Sequence, residues 1–186
     1  MATSTGQPNP PLPYEPVGRW GHISAIVEGI NYMMLGDHGA LTTTAPPPTV
    51  VEVFEDEFPS WQQKPTSGQP PPGSVHAACI AIDNYIYHFG GFDGTTFYNT
   101  IHCLDTKRLI WKEISTSNPG EAPMAKGSAG MIALSPNILV VVAGYGDLPK
   151  HHCPDAQYTP DPDPRNEGLG WTNELHCFHV DSSELC

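Results

Sequence analysis

Apolar residues along this 186-residue chain come in short runs, never in a long helical stripe. "HISAIVEGINYMML", "HAACIAIDNYIYHF" and "AGMIALSPNILVVV" each hold two brief runs, split by Glu-Gly, Asp-Asn and Ser-Pro-Asn. Runs this short, rich in Val, Ile and Tyr and bounded by turn residues, predict β-hairpins. The 21 Pro and 18 Gly make up about a fifth of the chain, which favours many short elements joined by turns. The expected class is all-β.

Laying the three hairpins on one another exposes a repeat. Gly36, Gly91 and Gly144 end the second strand of each, at intervals of 55 and 53 residues. Trp61 and Trp111 lie 50 apart, and His22, His76 and Ser128 are spaced by 54 and 52. A third strand recurs as well: Asn99, Ile101, His102 and Cys103 match Asn173, Leu175, His176 and Cys177 at a constant offset of 74, with Val51, Glu52 and Val53 in the first copy. The fullest copy, "HFGGFDGTTFYNTIHCLDTKRLIWKEI", carries the doublet Gly90-Gly91, an aromatic residue after the loop, and Trp111. The glycines suit a strand end where φ must be positive or a Cβ would clash. The Trp of the outer strand is expected to pack between neighbouring units. The other copies are degenerate, with Leu35-Gly36-Asp37 and Ala143-Gly144.

A period near 50 with four short strands per unit marks a kelch propeller blade, and over residues 17–186 the chain resembles the kelch-repeat family. The resemblance implies a partial kelch-type β-propeller of about three blades, over 17–64, 73–117 and 123–186, after a disordered Pro-rich tail over 1–16. Asp105 precedes Trp111 by six residues, and six residues after Asp181 falls just past Cys186. The third blade is therefore expected to lack its outer strand, and the chain to be a fragment or short form of a longer propeller. Propellers usually have about 4–8 blades, so an unclosed array is expected to expose apolar blade faces and to self-associate through them. His22, His76 and Ser128 are expected at equivalent positions on the first strands.

The third copy carries a narrower resemblance. "AGYGDLP" from Ala143, then a long insertion, then "GWTNELHCFHV" from Gly170, is similar to the corresponding blade of the kelch-domain substrate receptors of cullin-2 ubiquitin ligases. Those receptors read the C-terminal tails of proteins. The resemblance implies that Tyr145 and Trp171 line a tail pocket, with Lys126 as the nearest match to a lysine of that family. Ala143 stands where the family has Gly, and Thr172 where it has Asn, with Asn173 one place later.

Charge narrows the partners. A net charge of −12 with eight Lys and Arg cannot neutralise a track of phosphates, which argues against nucleic acid and anionic membranes. Protein or peptide partners remain. The N-terminus has neither the basic start nor the apolar core of a signal peptide, and five Cys without a tight framework predict reduced thiols, so a cytoplasmic or nuclear location is expected. Candidate chemistry is thin. His151, His152 and Cys153 lie in the Pro-rich insertion, and His176, Cys177 and His179 follow the strand repeat; no metal or other cofactor is expected. "GSAG" from Gly127 lacks the spacing of a nucleophile elbow, and Lys126-Gly127 reverses the order of a phosphate loop. The reading is a non-catalytic protein-interaction module. The alternative is a metal-dependent oxidase or hydrolase on the same scaffold.

Overall fold

The computed structural model describes residues 14–37, 39, 49–55, 58–114, 122–149 and 155–180. Most of the expected tail, the Pro-rich stretch from Thr42, and His151, His152 and Cys153 lie outside them.

The first blade is a four-stranded antiparallel meander, β1 (Ile23–Val27), β2 (Ile30–Met34), β3 (Val50–Glu55) and β4 (Phe58–Pro65). A short β5 (Ser67–Gly68) leads on and pairs parallel to the outer strand of the next blade. The second blade repeats the meander with β6 (Ala78–Ile82), β7 (Tyr85–Phe89), β8 (Ile101–Asp105) and β9 (Ile110–Ile114). Seven strands follow: β10 (Lys126–Gly127), β11 (Gly130–Ser135), β12 (Ile138–Val142), β13 (Tyr145–Asp147), β14 (Tyr158–Pro160), β15 (Leu169–Thr172) and β16 (Leu175–His179). The third blade is β11-β12-β16, three strands among the described residues.

The first strands β1, β6 and β11 lie side by side, so the blades fan about a common axis as a partial propeller. Period-two alternation gives each sheet two faces, and both faces of the middle blade are buried against its neighbours. One buried cluster joins Val27, Met34 and Val53 of blade 1 to Ile86, Leu104 and Trp111 of blade 2. Another joins Tyr87, Phe89 and Cys103 of blade 2 to Leu139 and Val141 of blade 3. Trp111 fills the first interface; Trp61, its counterpart in blade 1, is half-buried against Phe54. Tyr14, placed in the expected tail, pairs with the Trp61 backbone, and its hydroxyl donates to Glu52, which also holds Arg19.

The glycine doublets form a left-handed corner in every copy, including the degenerate ones. Leu35 and Gly36 have φ of 62° and 86°, Gly90 and Gly91 have 67° and 100°, and Ala143 and Gly144 have 57° and 116°. The first place thus tolerates Leu and Ala at some strain. At the second place a Cβ on Gly91 would meet Ser74 Oγ at 2.6 Å, and on Gly144 the Gly127 carbonyl at 2.9 Å. Backbone bonds tie the first two corners to the next blade: Gly36 N–H donates to Ser74 O, and Gly91 N–H to Lys126 O. A parallel series runs from His76 N–H to Gly21 O and from Ser128 N–H to His76 O.

That series corrects one expectation. The counterpart of His76 and Ser128 is Gly21, not His22, and all three precede their strands. The position requires a left-handed residue, with φ of 64°, 57° and 53°, and its N–H and C=O serve the joint between blades. A second difference concerns the Pro-rich insertion of blade 3. Its described part adds β14 and β15 to β10 and β13 in a separate small sheet, ordered β10-β13-β15-β14, with a short 3-10 turn at Pro164–Asn166.

Candidate functional site

The corners place the residue after each doublet at one end of the blades. Asp37, Phe92 and Tyr145 pair there with Trp20, Val75 and Gly127, just ahead of the first strands. The small sheet stands over this end through β13, the strand of Tyr145. Between them lies a cavity of about 880 Å³.

Aromatic rings run along its wall. Phe92 stacks on Phe97 at 4.5 Å between centroids, Phe97 meets Tyr145 edge-on at 5.9 Å, and Tyr145 lies 5.0 Å from Trp171. Trp20 and His76, 5.3 Å apart, line the cavity as well. The rings are not simply packed away, since Trp171 is 46% exposed and Trp20 45%. Register brings Tyr145 and Trp171 together, because they are direct partners of β13 and β15. Phe97 is held by the turn below it, where the Asp93 carboxylate accepts from the backbone N–H groups of Thr95 and Thr96 and from the Tyr98 hydroxyl. Burial works against that charge, but the hydrogen bonds outweigh it and hold the carboxyl near 2.

The insertion contributes Asp161. Its Oδ2 accepts from the Tyr145 hydroxyl at 2.7 Å and from Asn166 Nδ2 at 3.0 Å, and its Oδ1 accepts from the Asp163 N–H at 2.9 Å. The Tyr145 bond, then the Asp163 N–H, lower the carboxyl below its usual range. Desolvation, with that acidic partner, raises the Tyr145 phenol to about 12. Asp163 caps the 3-10 turn and grips the Arg165 guanidinium through both carboxylate oxygens.

Lys126 differs from Tyr145 and Trp171. Although β10 pairs with β13, its side chain is 0% exposed and it is not among the cavity-lining residues. Its ammonium lies 2.6 Å from Glu174, which also accepts from the Met124 N–H and the Tyr158 hydroxyl and contacts His176 Nε2 at 3.0 Å. Burial pulls the Lys126 ammonium down, with Glu174 opposing. Burial would raise Glu174, but His176 and Lys126 outweigh it and hold it near 2. The buried hub ties β10, β14 and the approach to β16 together. It presents no positive charge to the cavity.

His102 and His176 occupy equivalent places on β8 and β16, opposite His88 and Val141. Among the described residues no group of three or more His, Cys, Asp or Glu is arranged to hold a metal ion. Sequence reading assigned Trp20, Phe92, Phe97 and Asp161 to no site, and gave His76 only a place in the repeat. The repeat itself carried the signal for Phe92, one period before Tyr145.

The family model described as the KLHDC2/KLHL20/DRC7 Kelch-repeats domain matches residues 13–185. Kelch domain-containing protein 2 of Homo sapiens is 26% identical over 144 residues, covering 73% of this chain and 34% of the relative. Rab9 effector protein with kelch motifs of Gallus gallus is 27% identical over 102 residues, 53% of this chain and 27% of that protein. Acyl-CoA-binding domain-containing protein 5 of Arabidopsis thaliana is 25% identical over 95 residues, 50% of this chain and 14% of that protein. The chain thus spans about a third or less of the length of these relatives.

Proposed function

Because the chain belongs to the KLHDC2/KLHL20/DRC7 kelch-repeat family, we propose that it is a non-catalytic protein-interaction module, and that the aromatic cavity seats an extended peptide of the partner. The observation that carries this is the run of rings from Phe92 to Trp171 along an open cavity of about 880 Å³. Half-exposed aromatic rings fixed on strands are the usual anchors of peptide recognition, since they offer large contact area at low entropic cost. The kelch relatives support the reading, one of them being described as a Rab9 effector. The test is selection of binders from a peptide library by the 186-residue chain, repeated with Trp171→Ala and Phe97→Ala. Selected peptides should bind both variants at least about tenfold more weakly, as expected for a hot-spot aromatic. Selected peptides indifferent to both substitutions would refute the site.

A finer role, substrate receptor of a ubiquitin ligase reading C-terminal tails, follows from the third-blade resemblance. A tail carboxylate needs a cation, and Lys126 is spent on Glu174. We assign such a role only to a product that brings basic residues from outside the described blades. This chain alone should bind free tails weakly. Self-association through open blade faces is a further part of the proposal, supported by the exposure of Ile26 on blade 1 and of Ile132, Leu134 and Leu175 on blade 3.

A further inference from the structure

The charges at the cavity differ in sign from those a carboxylate reader needs. Among the described residues, no Lys or Arg lines the cavity. Two basic groups on the elements that flank it are both committed, Lys126 of β10 to Glu174 in the buried hub and Arg165 of the 3-10 turn to Asp163. Asp161 lines the cavity, carries its charge at neutral pH, and accepts three hydrogen bonds. A carboxylate has about four acceptor sites, so one remains for a donor that a ligand brings. Beside it stand Tyr145, Trp171 and Phe97, whose ring faces attract a cation placed within about 6 Å of the centroid. A ligand carboxylate would meet Asp161 with no Lys or Arg counter-charge among the described lining residues. A net charge of −12 also draws basic segments toward the chain at long range.

We infer that the cavity selects a partner segment bearing a cationic side chain, arginine or lysine, laid against the rings of Tyr145 and Trp171 with its charged end toward Asp161. The assignment rests on the peptide-binding role proposed above and adds the chemistry of what is bound. The aromatic rings supply contact area for any apolar stem, and Asp161 with the ring faces supplies the preference for charge.

The test uses the full 186-residue chain and four end-capped peptides that differ only at a central residue: arginine, lysine, norleucine or glutamate. Affinities come from calorimetry, with tryptophan fluorescence as a second readout. Arginine and lysine peptides should bind at least about fivefold more tightly than norleucine, with glutamate weakest and the ratio shrinking as salt is added. Whichever of arginine and lysine binds tighter identifies guanidinium or ammonium as the favoured head. Asp161→Asn keeps an acceptor for the Tyr145 hydroxyl and should bring the arginine-to-norleucine ratio close to one. The wild-type ratio and its salt dependence need no variant, so misfolding of Asp161→Asn would not rescue a failed result. A wild-type ratio near one, or tightest binding by glutamate, overturns the charge preference; if norleucine binding then still depends on Trp171, the peptide site stands. If none of the four binds, the site and its charge preference fall together.

Discussion

Acid should loosen the joint between blades 1 and 2, and the reason lies in two buried histidines. His88 and His102 face each other across β7 and β8, with rings 5.8 Å apart in a row that runs from Cys79 to Glu113. Among the described residues, neither His88 nitrogen nor His102 Nδ1 has a hydrogen-bond partner. Burial, and for His88 also its neighbour, lowers their pKa values to about 3 and about 4. Both folded values lie below the usual unfolded value near 6.5, so the unfolded chain binds more protons in the window between. Stability is therefore full above about pH 6.5 and is lost as pH falls toward the folded values. Each group loses about 2 kcal/mol between pH 7.5 and 5, at about 1.4 kcal/mol per unit of pH, and the pair about 4 kcal/mol. That is a large share of a typical domain's total of roughly 5–15 kcal/mol. The repeat supplies the control, because blade 1 has Met33 and blade 3 has Val141 where blade 2 has His88. His88→Met should raise stability at pH 7.5 by about 1 kcal/mol, by removing unpaired buried nitrogens, and should halve the acid loss. Urea unfolding at pH 7.5, 6 and 5 reads both effects, and the wild-type midpoint should drop by about 2 M at a slope near 2 kcal/mol/M. A flat wild-type midpoint, or an undiminished loss in His88→Met, refutes the reasoning.

Lys126→Met should destabilise the chain by about 3–5 kcal/mol, because it strands the Glu174 carboxylate in a buried site. A thermal melt shifted by less than a few degrees would count against the hub. At the corners, Ala143→Gly should stabilise by about 0.5–1 kcal/mol by relieving a left-handed alanine, whereas Gly91→Ala should cost about 1–3 kcal/mol or more through strain and the Ser74 clash; equal effects would show that φ is not the constraint. Leu134→Lys, at a side chain 64% exposed on blade 3, should reduce self-association in light scattering, and a chain already monodisperse and monomeric would remove the premise.

The fold was readable because its joints repeat. Gly36, Gly91 and Gly144 stand out at a near-constant interval, and the hairpins before them alternate in short runs that no helix would need. The offset of one residue at Gly21 was hidden, since a left-handed φ leaves no trace when the residues are Gly, His and Ser. The small sheet over the cavity escaped for a different reason. Strands of two to four residues carry no periodicity, and β14 is anchored by Tyr158 to a glutamate 16 residues on. Tyr145 and Trp171 were legible only through likeness to a family, and their contact follows from register. The fate of Lys126 was not legible, because its partner Glu174 lies 48 residues away and nothing local announces an ion pair.

The joints between blades have a consequence for descent. Gly36, Gly91, His76 and Ser128 link one blade to the next through main-chain N–H and C=O groups, which every residue but proline carries whole. A gene segment encoding one blade can then be duplicated, lost or exchanged with the joint at this end preserved, provided the apolar faces still pack. What selection must retain is a short backbone shape at each corner. Copies are otherwise free to drift apart, as Leu35-Gly36 and Ala143-Gly144 have from Gly90-Gly91, while the pitch of the array is inherited intact.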